Sequence, residues 1–141
     1  MTAKEYLQQL EKLDTIIQNK LIEKDQWNEV ALGITARMDG ERVQSSGAKS
    51  KMAEAVEKCV DIEAEIDSLI DALISTKKDV IHTIEQVENP TEYNILHKRY
   101  VQYLQLQDIA DDYGKDYGWA TTTHGRALKS VQEILDGRCG E

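Results

Sequence analysis

Two long segments of the chain repeat apolar residues at heptad spacing, and this repetition limits the chain to a helical architecture. Within residues 2–36 the two rows are Leu10, Ile17, Lys24, Ala31 and Leu13, Lys20, Trp27, Ile34. Within residues 51–88 they are Cys59, Ile66, Leu73, Val80, Val87 and Val56, Glu63, Ile70, Lys77, Ile84. Residues seven apart share a helix face, so each segment is predicted to form one amphipathic helix.

Neither predicted helix can bury its apolar stripe alone. Residues 38–50, MDGERVQSSGAKS, contain two glycines and three serines without apolar periodicity, which predicts a flexible loop between the helices. The simplest arrangement folds the first helix back on the second as an antiparallel hairpin, or coiled coil. The stripes are wide, so packing within one chain and self-association both remain open.

The single proline, Pro90, marks the predicted boundary between this helical front, residues 1–89, and a C-terminal domain, residues 90–136. Proline cannot continue a helix but suits the first turn of a new one. The domain reads as three helices, TEYNILHKRYVQYL, LQDIADDYG and a third from about Tyr117, followed by a tail at 137–141. Gly114 permits a left-handed turn and Asp116 can cap the third helix. The predicted fold class is therefore all-α.

The net charge of −9 is unevenly distributed along the chain. Residues 91–141 contain six Lys/Arg and eight Asp/Glu, a net charge of −2, which leaves −7 for residues 1–90. An acidic protein is repelled from nucleic acid on average, so the total charge counts against DNA binding. The uneven distribution makes the C-terminal domain the better candidate for contact with DNA.

Motifs for catalysis or metal binding are weak in this chain. GAKS, residues 47–50, lacks the first glycine and the preceding strand of a phosphate-binding loop, so it reads as linker. The Asp111-Asp112 pair points in two directions on a helix, which indicates a solvated face. His82, His97 and His124 share no ligand spacing, and His124 is expected to be a half-buried helix residue. We expect no enzyme activity, no metal and no cofactor.

The two cysteines also indicate no disulfide framework. Cys59 falls within a helical apolar pattern and Cys139 lies in a glycine-flanked tail. No apolar run approaches membrane-spanning length, and no signal-peptide core is visible. These features predict a cytoplasmic protein without a membrane partner.

The third helix of the C-terminal domain separates two kinds of residue onto two faces. The apolar or small residues are Ala120, Thr123, Ala127, Leu128, Val131 and Leu135, and the opposite face presents Tyr117, Gly118, Thr121, Thr122, Gly125, Arg126 and Lys129. From Tyr117 to Gln132 there are two basic residues and no acid. Small residues let a helix lie close to a groove, and the cations can reach phosphates. The same face could equally be solvated only.

Four short motifs in this domain keep the spacing of a known family. Arg99-Tyr100 ends one helix, Ile109-Ala110 follows after eight residues, Gly114 makes a turn and Ala127-Leu128 lies in the third helix. Through them, residues 90–135 resemble region four of bacterial sigma factors. The whole chain resembles a family of small phage and prophage proteins of Gram-positive bacteria, grouped with late-gene transcriptional regulators. The matching front segments are YLQQLEKLDTIIQNKL, the loop after Gly40 and VEKCVDIEAEIDSLIDAL.

The resemblance implies a helix-turn-helix domain that binds double-stranded DNA as part of a transcriptional regulator. The base-reading positions of the family fall on Tyr117, Gly118, Thr121 and Thr122, and its backbone-contacting positions fall on Arg126 and Lys129. The helical front would form a homodimer or dock on RNA polymerase. Two alternatives remain: an assembly protein that acts through the acidic coiled coil, and a recognition subunit for DNA packaging.

Overall fold

The computed structural model describes residues 1–40 and 46–139, and it confirms the predicted all-α class. Two long helices, α1 (Ala3–Gly40) and α2 (Ser46–Glu85), precede three others: α3 (Pro90–Leu96), α4 (Leu106–Asp112) and α5 (Tyr117–Cys139). A π-helical segment, His97–Val101, continues α3. The described residues contain no strand.

The chain divides into two compact units. The central unit comprises Asp14–Ala72, and the terminal unit comprises Met1–Leu13 together with the chain from Leu73 onwards. The terminal unit therefore combines the start of α1 and the end of α2 with α3, α4 and α5. The boundary predicted at Pro90 lies inside this unit.

Within the central unit, two lysines that occupy heptad positions of α1 reach acidic residues of α2. The Lys20 Nζ atom lies 2.8 Å from a Glu65 carboxylate oxygen, and the Lys24 Nζ atom lies 2.6 Å from Glu63. Both lysine side chains are about 30% exposed, because their aliphatic stems lie along the stripe while the ammonium groups reach solvent. Residue numbers rise along α1 as they fall along α2, so the two helices run antiparallel here.

The buried stripe of α2 differs from the predicted one in its second row. Cys59 and Ile66 are buried as predicted, but they alternate with Ala55 and Ile62. The second predicted row starts at Val56, one position after Ala55. Its first four members were predicted to be buried but are exposed: Val56, Glu63, Ile70 and Lys77. Both rows contain apolar residues, and α1 covers the one that carries no charged side chain.

Two predicted irregular segments are partly helical. The loop predicted at 38–50 is helical up to Gly40 and again from Ser46, while residues 41–45 lie outside the described residues. Extending an existing helix costs little once its nucleus is packed, so both helices run into the glycine- and serine-containing segment. The predicted tail at 137–141 is helical to Cys139. The Arg138 guanidinium holds this last turn by donating to Thr83 Oγ1 at 2.6 Å.

The core of the terminal unit is shared by all five helices. Leu7 and Leu10 of α1 are at most 1% exposed, as are Val80 and Ile84 of α2. They belong to one cluster with residues of the later helices: Ile95, Leu96, Tyr100, Ile109, Ala127 and Val131. Burying such side chains is worth roughly 1.5–3 kcal/mol each. The first and second helices therefore contribute to the same core as the third, fourth and fifth.

Polar contacts fasten the ends of α1, α2 and α5 together within this unit. The Tyr6 hydroxyl donates to the Asp79 carboxylate and lies 2.9 Å from Thr83 Oγ1, which is fully buried. The Ala3 backbone N–H donates to Gln132 Oε1 at 2.8 Å. These bonds satisfy polar groups that would be costly to leave unpaired away from water.

The helix predicted through Leu104 ends earlier, at Val101. Its last backbone hydrogen bonds span more residues than the four of an α-helix. The Gln102 N–H donates to the His97 carbonyl and the Leu104 N–H donates to the Lys98 carbonyl, both at 3.0 Å. Tyr103 has a φ of 63°, the left-handed conformation that typically ends a helix. The π-helical turn and this residue together stop the helix short of its predicted end.

The turn between α4 and α5 has the predicted geometry. Gly114 has a φ of 65°, and the Lys115 N–H donates to the Ala110 carbonyl at 2.9 Å, the bonding pattern of a Schellman cap. Asp116 then caps α5, because its carboxylate accepts the Trp119 N–H at 2.8 Å. The predictions for Gly114 and Asp116 are confirmed.

We expect Gly114→Ala to lower the free energy of unfolding by about 1–2 kcal/mol, because alanine is strained at positive φ. A Cβ at this position has no atom within 4 Å, so the backbone conformation alone sets the cost. Gly114→Asn should cost less, since asparagine tolerates this conformation better. Urea unfolding of the three proteins measures both effects, and equal stability of the alanine variant would contradict the turn geometry.

Candidate nucleic-acid interface

One face of α5 is buried in the terminal unit. Ala120, Ala127 and Val131 are fully buried and Thr123 is 8% exposed. This face packs against α3 and α4, and the small side chains allow those helices to approach closely. The predicted apolar face is therefore the packed one, which determines what the opposite face can present.

The seven residues predicted to form a DNA-binding site all lie on the other side of α5. Six of them are exposed: Tyr117, Gly118, Thr122, Gly125, Arg126 and Lys129. Thr121 is half-buried, and its hydroxyl donates to the Gly118 carbonyl at 2.9 Å. That hydroxyl can still accept a hydrogen bond but is already committed as a donor. The structure thus places all seven residues on one helix and leaves Thr122 with the more available hydroxyl.

The two cations of this face are accessible. Arg126 and Lys129 are exposed, and neither forms a salt bridge with a residue that the structure describes. Lys115, in the turn before α5, is in the same situation. By contrast, Lys98 of the π-helical segment lies 3.5 Å from the Asp112 carboxylate. The sequence prediction did not include Lys115, although its place directly before the cap of α5 was visible.

Several acids near α5 are engaged in contacts with neighbouring groups. Asp116 caps the helix, and the Glu92 carboxylate accepts the Ser130 hydroxyl at 2.6 Å. The carboxylate of Asp111 accepts from the Gln107 amide at 2.9 Å. The Glu92 contact brings an acid beside Ser130, the residue after Lys129, which the sequence did not predict because Glu92 and Ser130 are 38 positions apart.

Two aromatic rings hold the first turn of α5 to the earlier helices. The rings of Tyr113 and Trp119 lie 5.0 Å apart between centroids at an angle of 47°. The Tyr113 hydroxyl accepts a hydrogen bond from the Asn94 side chain of α3. Tyr117 and Gly118 precede Trp119 directly, so this contact sets the position of the exposed residues at the start of the helix.

His124 is held on the inner side of α5 as a neutral imidazole. Its Nε2 atom lies 2.6 Å from the Tyr100 hydroxyl, and the two rings are stacked with centroids 5.6 Å apart. Burial, followed by the nearby positive charges of Arg99 and Lys4, lowers the pKa of His124 to about 4. Burial also raises the pKa of Tyr100 to about 12. His124 is half-buried as predicted, and its hydrogen bond links α5 to the π-helical segment.

The glycines of the exposed face leave room along the helix. A Cβ at Gly125 would meet no atom within 4 Å, and a Cβ at Gly118 would lie 3.5 Å from an Asp116 oxygen, an ordinary contact. The fold itself therefore tolerates a larger side chain at both positions. Glycine weakens a helix interior by about 1 kcal/mol relative to alanine, so Gly125 costs stability without serving the packing.

Other kinds of site are not found among the described residues. No three His, Cys, Asp or Glu side chains in that part of the chain are grouped so as to hold a metal ion. No described helix has an apolar stretch that could cross a lipid bilayer. Comparison of the chain with known protein families, curated proteins and solved structures finds no match. The face of α5 is therefore interpreted from its own geometry.

We expect His124 to make the fold less stable as the pH falls from about 6.5 to about 4. The unfolded chain takes up a proton near the ordinary pKa of 6.5, whereas folded His124 resists protonation down to about 4. The free energy of unfolding should therefore fall through this window, and the contribution of His124 should not change with pH above it.

The measurement is urea unfolding of wild type and His124→Gln across that pH range. The difference between the two proteins should change with pH below about 6.5 and stay constant above it. His82→Gln is the matched control, because His82 is exposed. A wild-type protein that tracks the His124→Gln variant at every pH would show that burial does not hold this imidazole neutral.

Proposed function

We propose that this protein is a non-catalytic, phage-type transcriptional regulator that binds double-stranded DNA through the exposed face of α5. In this proposal α3, α4 and α5 form a helix-turn-helix domain like region four of sigma factors, and α5 enters the major groove. The antiparallel helical front would serve as a homodimer contact or dock on RNA polymerase. The protein would act in the cytoplasm, where the DNA and the polymerase are found.

A single observation carries this proposal. The back of α5 is packed, while its opposite face from Tyr117 to Gln132 combines glycines and threonines with two cations that form no salt bridge with a described residue. The first acid of the helix, Glu133, follows this stretch. A solvated helix face has no need of glycine in its interior, since glycine lowers helix stability. A helix that must approach a nucleic-acid groove closely benefits from small residues beside cations that reach phosphates.

The overall acidity of the chain does not exclude this role. The helical front carries most of the negative charge, and several acids of the terminal unit are held in contacts with Lys98, Ser130 and the first turn of α5. Binding to phosphates depends on the charge within about one Debye length, roughly 8–10 Å at physiological salt, rather than on the total. Arg126 and Lys129, which form no salt bridge with a described residue, supply the local attraction, and the exposed Glu133 one turn beyond Lys129 reduces it.

A second candidate function is supported by a different observation. The apolar side chains of Val56, Val60 and Ile70 on α2 are exposed, which fits an assembly protein that acts through its helical front. Salt separates the two functions. DNA affinity falls steeply as salt rises because counterions are released, whereas an apolar helix contact changes little.

We expect the double change Arg126→Glu and Lys129→Glu to weaken DNA binding at all sequences by about tenfold or more, with helicity retained. Loss of two phosphate contacts should also reduce the slope of log affinity against log salt by about 2. The binding site is first selected from a random duplex pool, and fluorescence anisotropy is then recorded across a salt series. The matched control is Lys51→Glu, an exposed lysine of the central unit. Equal affinity of wild type and double variant would assign DNA contact to another face, and no selected site would favour the assembly function.

We expect Gly125→Ala to stabilise the fold by about 0.5–1 kcal/mol and yet to weaken DNA binding. The space around Gly125 is open in the protein alone, so an added methyl group interferes only if another surface lies close to α5. Gly137→Ala is the matched control on the same helix, where a Cβ also meets no atom within 4 Å. Thermal unfolding and DNA titration together test this: a Gly125→Ala variant that is more stable and binds DNA as well as wild type would place the groove elsewhere.

A further inference from the structure

The helix α2 carries a second row of residues at helix-packing spacing, beside the row that α1 covers. Val56, Val60, Glu63, Asp67 and Ile70 follow one another by four, three, four and three residues, all within the central unit. We call these five residues the outer seam. Its apolar members are exposed: Val56 by 45%, Val60 by 57% and Ile70 by 38%. Such spacing is typical of a face that packs against another helix.

We propose that the outer seam binds an amphipathic helix of a partner protein, and that this helix presents basic residues where it meets Glu63 and Asp67. The proposal concerns a surface on α2 and does not depend on DNA binding by α5. It commits to a basic helix because the seam is apolar at both ends and acidic at its centre. A partner helix must match that order to pack along its whole length.

The charge at the centre of the outer seam is accessible. The side chain of Glu63 is 55% exposed even though one of its oxygens lies 2.6 Å from Lys24 Nζ. Asp67 is exposed and has no salt-bridge partner among the described residues. From Asp61 to Asp71 the helix contains five carboxylates and no lysine or arginine. Lys24 and Lys20 of α1 pair with two of these carboxylates, Glu63 and Glu65, and the other three have no salt-bridge partner among the described residues. Two cations on a partner helix would therefore find a net negative potential here.

The same charges disfavour a second copy of this chain as the occupant. A parallel, in-register copy would put Glu63 against Glu63 of the other chain. An antiparallel copy that pairs Val60 with Ile70 would put Glu63 against Asp67. Opposed like charges on adjoining helices destabilise the pair, and the penalty increases when an apolar contact removes them from water.

The size of the outer seam indicates a reversible contact. Residues 56 and 70 are 14 positions apart, so the seam is about 21 Å long, and a partner helix of about three heptads would cover it. Three apolar side chains offer less area than the roughly 1,200–2,000 Å² that stable complexes bury. The partner therefore binds and releases, with specificity supplied by the two central charges.

The test uses the full-length protein and two designed peptides of about three heptads, labelled for fluorescence anisotropy. In the first peptide, the residues of the face that packs on the outer seam are, in order, leucine, leucine, lysine, lysine, leucine and leucine. In the second peptide, both lysines are replaced by glutamate. We expect the lysine peptide to bind at least about tenfold more tightly, because only its charges complement Glu63 and Asp67. The preference should diminish as salt screens the charges.

Protein variants locate the contact. Val60→Gln together with Ile70→Gln should weaken binding of the lysine peptide by about tenfold or more, since two apolar contacts are removed while helix propensity is kept. Ile22→Gln, an equally polar change at a residue of α1 that is 55% exposed, should leave binding within about twofold. Asp67→Lys should remove most of the preference for the lysine peptide, because the outer seam then carries one negative charge at Glu63 and one positive charge at position 67.

Three results would overturn the proposal. The first is that a protein of intact helicity binds both peptides equally well or binds neither of them. The second is a preference that Asp67→Lys leaves unchanged. The third is a dimer in sedimentation equilibrium that the Val60→Gln and Ile70→Gln changes dissociate, which would identify a second copy as the occupant. Circular dichroism of each variant shows whether it is folded, so that loss of binding through unfolding is distinguished from loss of the contact.

Discussion

The packing of the first turns of α1 and the last turns of α2 into the same core as α3, α4 and α5 is the contact on which the terminal unit depends. Leu7 and Val80 are fully buried among residues of the later helices. The three later helices are short or half-exposed, and a domain of their size alone buries too little surface for robust stability. The long helices supply the missing apolar surface, and α5 can consequently keep one whole face outside the core.

The sequence was informative wherever a local pattern decided the outcome. Heptad spacing predicted the buried positions of Leu10 and Ile17, and turn chemistry predicted the conformation at Gly114. The second row of α2 was mispredicted because Val56 and Ala55 are both acceptable apolar positions, and only the placement of α1 selects between them. The shared core of the terminal unit could not be predicted, since it joins residues far apart in the chain with no common period.

The candidate site shows the same division between local and distant information. Helical periodicity predicted which face of α5 is packed, and therefore which seven residues remain outside. It could not reveal that the Thr121 hydroxyl donates to a backbone carbonyl, because this hydrogen bond depends on a side-chain rotamer. Nor could it pair His124 with Tyr100 or Ser130 with Glu92, since each pair requires the fold to bring two helices together. What the exposed face binds depends on a partner surface, about which intramolecular packing carries no information.

The hydrogen bond from the Ala3 backbone to Gln132 has a consequence for how the chain is made. These residues are 129 positions apart, and Arg138 makes a comparable bond to Thr83 of α2. The first two helices are synthesised before α5, and the apolar ends that they contribute to the terminal unit can be buried only when α5 joins them. The core of the terminal unit can close only after α5 has emerged, so the apolar ends of α1 and α2 stay exposed until then. Chaperones that hold exposed apolar helices would meet the chain in that interval.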